Sequence, residues 1–146
     1  RAARPDIALS TDIIVGFPGE EKEDFRAAYD FMNMIRYDFA FMFKYSAREG
    51  TKAYKWEETL SDEEKGQRLR EVIQLQERLS GEINHQTIGQ TVEVLVERPA
   101  KRQAGWMAGK DAQFKTVVFP GDDVRLGDFV SVRIVSATAH TLIGER

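Results

Sequence analysis

The chain has 146 residues, 42% hydrophobic and 31% charged, and contains no cysteine. That length suits one or two small domains with enough apolar material for a core. The missing cysteines exclude a disulfide scaffold, a cysteine nucleophile and a thiolate-ligated zinc or iron–sulfur site within this chain. No apolar run approaches the roughly 18 residues that span a bilayer, and no signal-peptide pattern opens the chain, so a soluble, cytoplasmic protein with no membrane partner is expected. The net charge of −3 is unevenly spread. Residues 1–85 carry 13 basic against 17 acidic side chains, and residues 86–146 carry 8 against 7. Total charge therefore argues for no nucleic-acid role, which must come from local placement.

The first strong element is Asp12-Ile13-Ile14-Val15-Gly16-Phe17. It is β-branched and nearly continuous in apolar character, as in a strand buried on both faces of a parallel sheet. Pro18-Gly19 stops it, and Glu20, Glu21, Glu23 and Asp24 then fall where a helix N-terminus favours negative charge. Phe25, Ala28, Tyr29, Met32 and Ile35 form one apolar stripe at helical spacing. Phe39-Ala40-Phe41-Met42-Phe43-Lys44-Tyr45 reads as a second buried strand. Strand, helix, strand with short links predicts a βαβ unit, whose ligand rim lies at the C-terminal ends of its strands. The rim segments are Gly16 to Glu20 and Tyr45 to Thr51. A two-stranded parallel unit cannot cover both faces of its own sheet. The sheet is expected to continue on a part of the protein preceding Arg1, and residues 1–6 read as the end of a helix belonging to that part.

Residues 52–60 read as a linker with little pattern. Ser61 with Glu64 is a capping box opening a helix that runs to about residue 86, with Leu69, Val72, Ile73, Leu79 and Ile83 inward. Gln76 interrupts that stripe, either as a partly solvated or interdomain seam or as one polar residue on an ordinary surface helix. From Gly89 the period becomes strand-like: residues 91–97 and 129–135 alternate, with shorter candidates at 106–110, 115–119 and 141–144. These strands suit a small antiparallel barrel better than an open sheet with bare edges. The expected fold class is α/β followed by all-β, with domains at residues 1–86 and 87–146.

His85 and His140 have no partner at metal-ligand spacing, and no metal site or catalytic side chain is assigned. Lys101, Arg102, Trp106, Lys110, Phe114 and Lys115 interleave cations with aromatics around the barrel loops, a pattern that fits RNA unless the two rings are core residues.

Thr11 to Glu20, followed by Glu23-Asp24-Phe25, resembles the late-barrel motif of radical S-adenosylmethionine methylthiotransferases. Phe43-Lys44-Tyr45-Ser46 with Arg48 and Gly50-Thr51 resembles their next strand and loop. Val94 to Glu97, Gly109-Lys110, Val117-Val118-Phe119 and the stretch from Ala137 to Gly144 resemble their C-terminal TRAM domain. Phe39 to Ser46 with Arg48 is nearest to the MiaB-type tRNA branch. The resemblance implies the last βα units of a partial (β/α) radical barrel, a linking helix and an OB-like TRAM barrel. It implies an enzyme that, at full length, transfers a methylthio group to an isopentenylated adenosine beside the tRNA anticodon. S-adenosylmethionine and two 4Fe-4S clusters would serve it, neither cluster ligated by this chain, which alone would be inactive. The tRNA anticodon stem-loop is the implied partner. Asp12, Gly16, Glu20, Tyr45 and Ser46 are the implied cofactor contacts. Lys44, Arg48, Lys101, Arg102, Lys110 and Lys115 are the implied RNA contacts. Alanine and glutamate stand at 47 and 49 where the family usually has proline, and Lys110 stands for a frequent arginine, losing the bidentate fork. The alternatives are the family branches acting on a ribosomal protein or on threonylcarbamoyladenosine, and a non-catalytic RNA-binding module.

Overall fold

A computed structural model describes residues 3–101 and 103–146. The chain divides into two compact units, one of residues 9–79 and one of residues 1–8 with 80–146.

In the first unit β1 (Ser10–Val15) and β2 (Phe39–Lys44) pair in parallel, Ser10 opposite Phe39 and Val15 opposite Lys44. The crossover is α1 (Lys22–Ile35), which buries Phe25 and Met32. Its N-terminus carries a capping box of Glu21 and Asp24, so these acids satisfy backbone N–H groups as well as the helix dipole. The long helix α2 (Asp62–His85) packs Val72, Leu75 and Leu79 into the same core as Val15, Phe25 and Met32.

Both helices lie on one face of the sheet, and the other face stays open within this chain. Ile13, Ala40 and Met42 face the helices. Ile14, Phe41 and Phe43, one residue out of phase, are 54%, 57% and 55% exposed. Strand periodicity forces this division, because alternate side chains point to opposite faces. Gln76 is neither at a solvated or interdomain seam nor on an ordinary surface face, as its sequence position suggests: it is buried, and its Nε2 donates to the Tyr37 carbonyl at 2.8 Å within its own unit. A buried amide that finds a carbonyl is tolerated in a core.

The start of α2 is held as its sequence indicates. The Ser61 hydroxyl and N–H donate to Glu64 at 2.7 and 2.9 Å, and the Glu64 N–H donates back to Ser61 Oγ at 3.2 Å. Lys44 Nζ reaches both Asp62 oxygens at 2.7 and 2.8 Å. The Lys44 hydrogen bond and charge hold the Asp62 carboxyl below its ordinary value, and the Ser61 hydroxyl and N–H do the same for Glu64. A carboxyl lowered in the folded state contributes stability above its unfolded value, and loses it as pH falls through the folded value. We therefore expect helical circular dichroism to hold at neutral pH and to fall below about pH 4. The double variant Asp62→Asn, Glu64→Gln should show a shallower acid loss, and an unchanged acid profile would refute this assignment.

The second unit is a closed barrel of β3 (Thr91–Pro99), β4 (Trp106–Asp111), β5 (Thr116–Pro120), β6 (Phe129–Ala137) and β7 (Leu142–Glu145), in the order β3-β4-β5-β7-β6. Val94, Val96, Val117, Phe119, Val132, Ile134 and Leu142 fill it. The expected all-antiparallel barrel is corrected at one seam, where β5 and β7 pair in parallel. A ring with an odd number of strands cannot alternate direction all the way round, so one parallel pair is required. The Asn84 amide, on the last turn of α2, donates to the carbonyls of Thr138 and Ala139 at 2.9 and 3.2 Å.

Candidate cofactor cleft and nucleic-acid surface

The open face of the β1–β2 sheet and the two loops at its C-terminal end form a cleft of about 820 Å³. Ile14, Phe17, Phe41 and Phe43 supply its apolar wall, and Asp12, Lys44, Tyr45, Ser46, Arg48 and Thr51 its polar side. Phe17 and Tyr45 meet edge to face at 5.0 Å, closing one end. The Tyr45 hydroxyl is buried with no hydrogen-bond partner among the described residues. A buried hydroxyl left unpaired costs stability, so a ligand atom that bonds it is favoured.

Behind the cleft lies a charged clamp. Gly16 turns with φ 72°, and a Cβ there would lie 2.5 Å from Lys65 Cγ. The Gly16 N–H donates to Glu20 Oε2 at 2.9 Å, while Glu20 Oε1 pairs with Arg68. Lys65 pairs with Glu58 and lies 5.6 Å from the Tyr45 ring centre. Both clamp cations come from α2, whose side chains one turn apart share a face.

Of the residues assigned to the cofactor, Asp12, Tyr45 and Ser46 line the cleft. Gly16 and Glu20 do not; they build the turn behind it, and both oxygens of Glu20 are engaged there. Of the residues assigned to RNA, Lys44 and Arg48 also line the cleft, with Lys44 tied to Asp62.

On the barrel, Lys110 and Phe114 form one unit at the β4–β5 hairpin. Lys110 Nζ donates to the Phe114 carbonyl at 3.1 Å and to Thr116 Oγ1 at 3.0 Å, and lies 4.8 Å from the Phe114 ring centre. Asp111 Oδ1 accepts the N–H groups of Gln113 and Lys115 at 2.9 and 2.8 Å, which folds the tip. Phe114, at φ 64°, is thereby turned outward and 67% exposed, not placed in the core. Trp106 is half-buried. Lys101 is exposed, and Arg102 lies outside the described residues. Lys115 is 9% exposed, so it differs from the solvent-facing cation that its position in a loop suggests. Its backbone is drawn into the Asp111 turn.

Residues 52–60, read from sequence as a featureless linker, hold a second hollow of about 640 Å³ between Glu49 and Trp56. The triplet Tyr54-Lys55-Trp56 is the sequence signal that marks it.

Residues 85–145 match the TRAM domain family, so the barrel is that of a TRAM domain. Over nearly its whole length the chain is also similar to proteins named tRNA-2-methylthio-N(6)-dimethylallyladenosine synthase. The protein of that name from Bacteroides fragilis is 49% identical over 142 residues, which is 97% of this chain and 31% of the relative. The one from Methylacidiphilum infernorum is 42% identical over 144 residues, 99% of this chain and 31% of the relative. The one from Alkaliphilus oremlandii is 43% identical over 141 residues, 97% of this chain and 30% of the relative. The chain is similar to these synthases through both of its units. It spans about 31% of the length of the curated relatives it matches.

Proposed function

We propose that the chain is the C-terminal part of a tRNA-2-methylthio-N6-dimethylallyladenosine synthase, acting in the cytoplasm. Its first unit would supply one side of an S-adenosylmethionine cleft as the last βα units of a partial (β/α) barrel. Its TRAM domain would hold the tRNA anticodon stem-loop. The observation that carries this reading is the presence, in one chain, of a TRAM domain and a cleft at strand C-termini with an unpartnered buried hydroxyl. The names of the relatives favour the tRNA branch over the ribosomal-protein branch.

The cleft residues fit an adenosyl cofactor. Phe17, Phe41 and Phe43 offer apolar surface to a planar base and exclude water. The hydroxyls of Tyr45 and Ser46 offer hydrogen bonds, and the Asp12 carboxylate can accept from a ribose hydroxyl or an amine. When bound, S-adenosylmethionine supplies the methyl group and the radical equivalent for C–H cleavage. The two iron–sulfur clusters are a different matter. The chain has no cysteine, and no group of three metal-ligating side chains occurs among the described residues. The residues present do not fit either cluster, whose ligands we assign to the part of the relatives that this chain does not match. Among the described residues no helix is long and apolar enough to cross a membrane.

The purified chain should shift an anticodon stem-loop in a gel, with affinity falling as salt rises, because phosphate contacts release counterions. Lys101→Ala should flatten the salt slope by about one unit. The chain alone should release no deoxyadenosine from S-adenosylmethionine under reducing conditions. Binding to the ribosomal protein in place of the stem-loop, or deoxyadenosine from the isolated chain, would overturn the reading.

A further inference from the structure

The hollow between Glu49 and Trp56 lies in the same unit as the cleft and adjoins it, since Thr51 lines both. Its frame is a single 3-10 turn, Ala53–Lys55, started by the Thr51 hydroxyl, which accepts the Tyr54 N–H at 3.2 Å. Two large rings project from that turn, Tyr54 at 51% and Trp56 at 53% exposure. Such apolar area is costly to leave in water without a partner. Trp56 is not loose. Its ring meets Phe17 edge to face at 5.8 Å, and Phe17 in turn meets Tyr45 of the cleft. An aromatic file therefore runs from the cleft to the hollow, and it orients the outermost ring before any partner arrives.

The cations around these rings are available. Lys52 and Lys55 are exposed and form no ion pair among the described residues, and the same holds for Arg48 in the loop after β2. Glu49 also borders the hollow, so the site is not a strong electrostatic funnel. Ring surface, more than charge, is what it offers. Exposed, oriented aromatics with flexible lysines beside them match an unpaired nucleobase with its flanking phosphates, because every base has a π-face and stacking tolerates sequence.

We propose that Tyr54 and Trp56 form a stacking platform for an unpaired base of the RNA strand, with Lys52 and Lys55 meeting its neighbouring phosphates. This platform is separate from the TRAM domain, and the inference rests on the RNA-binding reading above. It places a base-binding element next to the cleft, so that the strand entering the cleft is gripped by the loop that follows β2. The ligand is a single strand: a base stacked inside a duplex has both faces covered by its neighbours and cannot enter.

The chain has two tryptophans, so Trp106→Phe leaves Trp56 as the only one. In that background, a short single-stranded RNA should quench Trp56 emission, and the same sequence as a duplex should not. Trp56→Ala and Tyr54→Ala should each weaken binding roughly 5- to 150-fold, and Trp56→Phe and Tyr54→Phe should restore most of it. Because Trp56 also touches Phe17, Tyr54→Ala, whose ring has no such contact, carries the test if Trp56→Ala fails to fold. The lost affinity should depend little on salt, in contrast to that lost by Lys101→Ala. If RNA binds and Lys101→Ala weakens it while Tyr54→Ala and Trp56→Ala do not, the platform is refuted and the RNA reading stands. If no RNA binds, both fall. Quenching by adenosine monophosphate at the concentration that suffices for the strand would identify a mononucleotide pocket and refute the platform.

Discussion

Gly109→Ala is expected to unfold the TRAM barrel while sparing the first unit. Gly109 is buried on β4 opposite Val96 of β3 and Val117 of β5. A Cβ at this position would overlap the Leu95 carbonyl oxygen, and would lie 2.7 Å from Val94 Cγ1 and 2.8 Å from the Leu95 carbonyl carbon. A long side chain could swing away, but a backbone carbonyl inside a strand ladder cannot move without breaking its register. The β3–β4 pair must therefore separate, and the core residues Val94 and Val96 lose their seats with it. A cost of about 3 kcal/mol or more is expected, at or beyond the upper end for overpacked cores. One tryptophan lies in each unit, so urea unfolding followed at Trp106 should show the loss, while emission from Trp56 should not. Gly81→Ala is the control. Gly81 is helical with open space where a Cβ would stand, and alanine there should stabilise by about 0.5–1 kcal/mol. A Gly109→Ala barrel within about 1 kcal/mol of the parent would show that β3 and β4 can part at little cost, against the close packing of this interior.

The second large effect is expected at Glu20. Its carboxylate accepts the Gly16 N–H at 2.9 Å and pairs with Arg68, each side chain of that pair being 13% exposed. Glu20→Ala leaves a buried N–H without its acceptor and a guanidinium without its counter-charge. Arg68 keeps weaker bonds to the carbonyls of Glu20 and Glu21, at 3.4 and 3.2 Å, so the loss should fall short of a fully orphaned charge. About 2–4 kcal/mol is expected. Glu20→Gln should lose less, because an amide oxygen can still accept from Gly16. The resemblance assigns Glu20 to the cofactor, whereas the structure uses it to fix the turn behind the cleft. A variant of unchanged stability with weakened ligand binding would reverse that assignment.

Much of the fold was legible because its signals are local. The Ser61/Glu64 box, the stripe of α1 and the alternation of β3 and β6 each follow from side chains a few residues apart. The motif Thr11 to Glu20 pointed to the family, and together with the stretch Phe43 to Ser46 it implied Asp12, Tyr45 and Ser46 as cofactor contacts. What escaped depends on long-range geometry. Glu20 reads as a cofactor contact, but Arg68, 48 residues along the chain, engages it in the turn behind the cleft. Tyr54 and Trp56 lie in a stretch without period, and only the hollow they frame gives them a joint meaning.

By itself the sequence determined the order of elements, the change from helical to strand period near Gly89, and the absence of any thiolate that could hold iron. Those properties are fixed by composition and by short-range periodicity. The tertiary structure alone decided which face of the β1–β2 sheet stays open, which carboxylate is spent on a part-buried pair, and that five strands close with one parallel seam. Each of these follows from where distant segments meet. Alternation along one strand says that two faces differ, but only the packing of α1 and α2 says which is covered.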